Sequence, residues 1–148
     1  MMFLWVGTGE MEEAIKEKIK NLGLEHNFRL VGSKPNVQDY LSAMDIFVLP
    51  SLWEGLGIVN IEAQTSGLIT LCSNRVPIEA KVSDLIRFID IRDNDVWCRE
   101  IEDYIEKNDI NKLVQLRGEY RNVNKEYDIC NEALWLQEFY KMHWRGSE

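Results

Sequence analysis

The residues of this chain whose types and spacing best suit chemistry are two carboxylates, Glu54 and Glu62, set eight positions apart around the glycines of Glu54-Gly55-Leu56-Gly57-Ile58-Val59-Asn60-Ile61-Glu62. Ahead of them an apolar run, Ile46-Phe47-Val48-Leu49, stops at Pro50, which has no N–H to give to a strand ladder. The pattern predicts a strand, an open loop and a helix N-terminus flanked by two acids. A helix N-terminus presents unpaired backbone N–H groups and a partial positive charge, which suit phosphates, and nearby acids suit sugar hydroxyls. A nucleotide sugar carries both groups.

Each acid also has a plainer reading. Glu54 before or within a first helical turn stabilises the helix dipole by ~0.3 to 1 kcal/mol without any ligand. The two glycines tilt the balance, because each interior glycine weakens a helix by about 1 kcal/mol and so calls for a reason, such as close approach of a ligand to the backbone. Glu62 has no basic residue at position 58 or 66 to pair with, and it lies among Ile58, Val59, Ile61 and Ala63. It is either solvated at the helix margin or held for a polar partner, since burying it unpaired is expensive.

Other segments are less promising. Gly7-Thr8-Gly9 begins like a dinucleotide fingerprint, but Glu12 stands where the third glycine belongs, and Glu10, Glu12 and Glu13 would repel a pyrophosphate. A tight strand-to-helix turn is expected there. Asp45, Asp90 and Asp93 read as turn and cap residues. Trp97, Tyr104, Tyr127, Trp135, Phe139, Tyr140 and Trp144 read as packing residues of a helical tail, with the last helix also able to meet a partner surface.

The elements that must position the two acids follow from periodicity. Strands are expected at Met2–Val6, Phe28–Val31, Ile46–Leu49, Ile69–Cys72 and Ile86–Ile89. Helices are expected at about Glu10–Leu22, Val37–Ala43 and Leu56–Ser66, and the chain from Asp93 onward should be mostly helical, with breaks at Asp109 and Asn122–Asn124. Short apolar strands alternating with helices predict an α/β fold, a Rossmann-like doubly wound parallel sheet with helices on both faces. Ligands of such sheets bind beyond the carboxyl ends of the strands, where the loops at Gly7, Gly32, Pro50–Gly57 and Ser73 belong.

Composition narrows the classes. At 148 residues and 45% hydrophobic, the chain can bury one substantial core, and one compact domain over residues 1–148 is expected. A formal charge of −8, from 17 basic and 25 acidic side chains, offers no broad cationic surface for DNA or RNA. It leaves room for one nucleotide held by backbone amides. Cys72, Cys98 and Cys130 are scattered, and His26 and His143 are the only histidines, so neither a zinc framework nor a disulfide scaffold is indicated. No signal peptide or run of roughly 20 apolar residues is evident, and a cytoplasmic location is expected.

Taken in order, Phe3-Leu4-Trp5-Val6-Gly7-Thr8-Gly9, Leu30-Val31-Gly32, Asp45-Ile46-Phe47-Val48-Leu49-Pro50-Ser51, the Glu54–Glu62 element and Gly67-Leu68 make the chain resemble a known family. It is similar to the C-terminal, donor-binding half of a retaining GT-B glycosyltransferase of the group 1 or family 4 type, over about Phe3 to Trp97. The Glu62-Ala63-Gln64 and Ser73-Asn74-Arg75-Val76-Pro77-Ile78-Glu79-Ala80 pieces resemble the bacterial capsular and exopolysaccharide branch.

The resemblance implies transfer of a sugar from a nucleoside diphosphate, UDP first among them, to an acceptor hydroxyl with retention, in surface polysaccharide biosynthesis. Glu54 would meet the sugar hydroxyls and is the catalytic candidate. The amides of Gly55, Leu56, Gly57 and Ile58 would face the sugar and diphosphate, Glu62 would bind the ribose, and the loop after Gly32 would border the base. No cofactor and no metal are implied. A saccharide or lipid-linked acceptor would be bound by an N-terminal domain outside this chain, and the full-length enzyme would work in the cytoplasm or at the inner membrane face.

The departures from the family pattern are also informative. The family's Arg and Lys that neutralise the diphosphate belong upstream of Phe3, so this chain alone should bind donor weakly and transfer nothing. Asn74-Arg75-Val76 stands where a Gly-Gly pair often precedes Pro-Glu, and Arg75 could add a positive charge near the donor. Two other classes remain open on sequence: a non-catalytic Rossmann-like interaction module docking through Trp135, Phe139 and Tyr140, and a GT-B epimerase acting on a UDP-sugar.

Overall fold

A computed structural model describes residues 1–107, 115, 117–119 and 128–144. The chain divides into two compact units, residues 1–44 and 45–148, each with its own parallel sheet.

In the first unit, β1 (Phe3–Val6) pairs in parallel with β2 (Phe28–Gly32), with Phe3 opposite Phe28 and their rings stacked at 4.8 Å. Between them runs α1 (Glu12–Asn21), with Glu12 and Glu13 in its first turn and Lys18 and Lys20 in its last, the charge order that the helix dipole favours. Lys16 bridges both Glu12 and Glu13 at 2.7 Å. The unit closes with α2 (Val37–Ala43).

The second unit holds the acids. Strands β3 (Ile46–Leu49), β4 (Ile69–Ser73) and β5 (Ile86–Ile89) lie parallel in that spatial order, with α3 (Ile58–Thr65) crossing over from β3 to β4. Because side chains alternate along a strand, the central β4 serves two cores. Leu71 packs with Ile89 and Trp97, while Cys72 packs with Val76, Ala80 and Ile86. Burial pushes the Cys72 thiol up to about 12.

Helix α4 (Asn94–Lys107) starts at Asp93, whose carboxylate accepts the Val96 N–H at 3.0 Å, and its Trp97 indole N–H donates to the Asp90 carbonyl at 3.0 Å. Helix α5 (Ile129–His143) is capped by Asp128, which accepts the Cys130 N–H at 2.9 Å. Its aromatic residues stack on one another, Trp135 on Phe139 at 5.5 Å and Phe139 on His143 at 4.3 Å, and all remain exposed.

The α/β class with parallel strands is as expected, and the spans at Val37–Ala43, Ile46–Leu49 and Ile86–Ile89 agree end to end. Helical structure after Asp93 is found in α4 and α5; the expected breaks at Asp109 and Asn122–Asn124, and Tyr127, lie outside the described residues. Two differences matter. Single 3-10 turns at Glu25–Asn27 and Ile78–Ala80 carry too few residues for a period to register. And α3 begins at Ile58 rather than Leu56, because Gly57 takes a left-handed conformation at φ 70° that no helix continues through.

Candidate functional site: the entrance to helix α3

The site is built where β3 hands the chain to α3. Beyond Leu49 the chain leaves the sheet at Pro50, and Ser73 at the end of β4 holds the departing loop: its hydroxyl donates to the Ser51 carbonyl and accepts the Arg75 N–H at 3.2 Å. Ser51 in turn donates its own hydroxyl to the Trp53 carbonyl at 3.0 Å. One buried serine thus ties together the loops that follow two neighbouring strands.

After Trp53, which is 88% exposed, the loop is uncommitted. Among the described residues, the backbone N–H groups of Glu54, Gly55 and Leu56 make no hydrogen bond. Gly55 is exposed, Leu56 half-buried and Gly57 buried. Gly57 stands as the N-cap of α3 with no side-chain cap, and its carbonyl accepts the Asn60 N–H at 2.8 Å. Its missing side chain is a requirement. A Cβ there would lie 2.7 Å from Asn60 Nδ2, 3.5 Å from a Val76 methyl and 3.8 Å from the Glu54 Cγ.

Those contacts place Glu54, Gly57, Asn60 and Val76 together at the helix entrance. Glu54 and Glu62 are both half-buried, and among the described residues neither carboxylate has an ion pair or a hydrogen bond. Ile58, at the first helical position, is 65% exposed, so the entrance is open to solvent. Gly32 belongs to the first unit, where it ends β2 at φ 72° and its carbonyl accepts the Gly7 N–H at 2.9 Å. Arg75 is exposed, and its charge adds to that of Arg92 in holding the Asp90 carboxyl well below the usual carboxylate range; the Arg92 hydrogen bonds are the larger cause.

Two residues escaped the sequence reading. Gln64, 1% exposed, fixes the inner end of α3: its Nε2 donates to the carbonyls of Asn60 at 2.9 Å and Ala80 at 2.8 Å, and its Oε1 accepts from Val82 N, Ser83 N and Ser83 Oγ at 3.0 to 3.1 Å. Asn60, fully buried, has no partner for either side-chain atom. The signal was present in their i, i+4 spacing on the face that also carries Ile61 and Ala63, where an apolar stripe would be the ordinary choice. The expectation that the chain has no Asp-x-Asp triplet is incorrect, since Asp93-Asn94-Asp95 has that spacing; the structure employs Asp93 as the α4 cap. Among the described residues, no group of three or more His, Cys, Asp or Glu side chains is placed to hold a metal ion.

Comparison with known proteins gives this entrance its context. Residues 1–123 match the family model described as Glycosyl transferases group 1. The chain belongs to this family. Among curated relatives of this group 1 chain, the UDP-Gal:alpha-D-GlcNAc-diphosphoundecaprenol alpha-1,3-galactosyltransferase of Escherichia coli is 38% identical over 74 residues, which is 49% of this chain and 19% of that protein. An uncharacterized glycosyltransferase of Haemophilus influenzae is 28% identical over 143 residues, 95% of this chain and 38% of its own length. The group 1 chain therefore spans well under half the length of these relatives.

Solved structures agree in fold. The sucrose-phosphate synthase of Thermosynechococcus elongatus superposes with a TM-score of 0.76 at 20% identity, over 94% of this chain and 37% of that one. WaaG, a glycosyltransferase involved in lipopolysaccharide biosynthesis, does so with a TM-score of 0.69 at 18% identity, over 89% and 36%. The α/β arrangement of this group 1 chain is thus that of GT-B glycosyltransferase structures. No helix among its described residues is long and apolar enough to cross a membrane.

Proposed function

We propose that this chain is the donor-binding part of a retaining glycosyltransferase that moves a sugar from a nucleoside diphosphate, UDP first, to an acceptor hydroxyl in surface polysaccharide biosynthesis. The observation that carries the reading is the entrance of α3: a left-handed Gly57, free N–H groups on Glu54, Gly55 and Leu56, and two half-buried carboxylates without partners. Free N–H groups at a helix N-terminus suit a diphosphate, and carboxylates without partners suit hydroxyls. The E. coli relative, named for UDP-Gal and a diphosphoundecaprenol acceptor, supports UDP and a lipid-linked acceptor, and a lipopolysaccharide core biosynthesis mannosyltransferase of Rhizobium meliloti, 37% identical over 57 residues, supports the pathway class.

In this reading the amides of Gly55, Leu56, Gly57 and Ile58 carry the diphosphate, Glu54 orients the sugar and Glu62 the ribose. Catalysis is then positioning plus stabilisation of the departing diphosphate, each able to supply several kcal/mol. Glu54 holds the sugar for attack and contributes its charge at the anomeric centre; the acceptor and further basic groups come from outside this chain. Alone, the chain binds donor without transferring it.

Titration of the chain with UDP, GDP and ADP tests the proposal. One of the three should bind, and Glu62→Gln should weaken it about tenfold, the equivalent of one charge-assisted hydrogen bond. No binding by any of them at millimolar concentration overturns the reading.

A further inference from the structure

Asn60 is the residue that the proposed function leaves unused, and it is an anomaly in physical terms. A buried carboxamide whose donor and acceptor both lack partners is costly, and native structures retain few of them. An apolar side chain of the same volume at this third helical position would carry no such penalty. Helical side chains lean toward the N-terminus, so the Asn60 carboxamide points back under the glycine loop, and the 2.7 Å between its Nδ2 and the absent Gly57 Cβ fixes it there. Just before that glycine in the chain come Glu54, Gly55 and Leu56, whose N–H groups are likewise without partners among the described residues, and the Glu54 Cγ lies 3.8 Å from the same Cβ position. An orphaned carboxamide and an uncommitted stretch of backbone thus adjoin the same glycine.

We propose that Asn60 is a positioning residue for the diphosphate: when the anion occupies the α3 entrance, the Glu54–Gly57 backbone turns a carbonyl inward onto Asn60 Nδ2. The trans peptide is planar, with its C=O and N–H on opposite sides, so a carbonyl drawn inward aims the N–H of the same peptide outward at the ligand. The carboxamide gains its partner and the anion gains an oriented donor in one movement. Gly55 and Gly57 supply the backbone freedom for that rotation, since each tolerates φ of either sign. Asn60 is fully buried and does not touch the ligand; it acts through the loop. The inference rests on the nucleoside diphosphate reading above.

The test is the Asn60→Leu variant, titrated with the nucleoside diphosphate that the wild-type chain binds and with the matching nucleoside. The free variant should unfold at the same or a higher temperature, because an unpaired buried group has been removed. Its diphosphate affinity should fall about tenfold, one hydrogen bond's worth, while nucleoside affinity stays unchanged. Equal diphosphate affinity in variant and wild type overturns the inference and leaves the function standing; equal losses for diphosphate and nucleoside also overturn it, by showing a general distortion. A wild-type chain that binds no nucleotide removes both. Should Asn60→Leu fail to fold, amide exchange in the wild type decides: at least one of the Gly55, Leu56 and Gly57 N–H groups should exchange about tenfold more slowly with diphosphate bound, and unchanged exchange at all three overturns the proposal.

Discussion

Gln64 and Asn60 stand one helical turn apart on the buried side of α3, and both carry a carboxamide that is at most 1% exposed, yet Gln64 holds five hydrogen bonds and the Asn60 side chain holds none. The inner end of the helix is therefore bolted to the segment from Ala80 to Ser83, while its outer end rests on a polar group with nothing to hold. The difference teaches how one short helix serves two purposes. Satisfied polar networks rigidify, whereas an unsatisfied one marks a place where the fold has been left short of its best packing. Gln64 even accounts for its neighbour, since it takes the Asn60 carbonyl but leaves the Asn60 side chain alone.

The largest effect expected from breaking this contrast comes at Gln64. Gln64→Leu strips partners from the Val82 and Ser83 N–H groups and the Ala80 carbonyl, and should cost about 3 kcal/mol in a urea unfolding curve. A cost under about 1 kcal/mol would mean that the bracket is replaceable by water, and the contrast with Asn60 would lose its meaning.

Gly57→Ala sharpens the other half. The substitution places a Cβ in left-handed backbone at φ 70° and 2.7 Å from Asn60 Nδ2, so it should cost about 2 kcal/mol by the same measurement. In an Asn60→Ala background the clash disappears and only the backbone strain of ~1 kcal/mol remains, so the two substitutions should be coupled by about 1 kcal/mol. Strict additivity would show that the loop already moves freely away from the carboxamide.

How much of this was legible beforehand depends on what each residue does. The strands and α2 were readable because apolar runs and their breakers, Pro50 and Gly67 among them, act locally. Gly57 was conspicuous because glycine weakens a helix, and Glu54 and Glu62 because they flank it, Glu62 among apolar residues with no basic partner at position 58 or 66. Gln64 and Asn60 were less legible. Their spacing marks them as a polar pair on an apolar face, but only the fold reveals that position 64 meets residues 80 to 83 and that the Asn60 side chain finds no hydrogen-bond partner. The left-handed turn at Gly57 is equally invisible: glycine permits that conformation but does not announce it, which is why the sequence pattern predicts a helix start at Leu56, two residues early.

The smallest expected effect on stability falls on the residues with the most proposed chemistry. Glu54→Gln and Glu62→Gln should each shift the unfolding free energy by less than about 0.5 kcal/mol, because neither carboxylate has a partner among the described residues whose loss would be felt. Removing one negative charge from a chain of net charge −8 slightly relieves self-repulsion, so a small gain is the favoured sign. That outcome separates α3 into a part the fold needs and a part it merely tolerates. A loss above about 1 kcal/mol at either position would assign that carboxylate to the scaffold beside Gln64, and the site would contract to the glycine loop and the carboxamide beneath it.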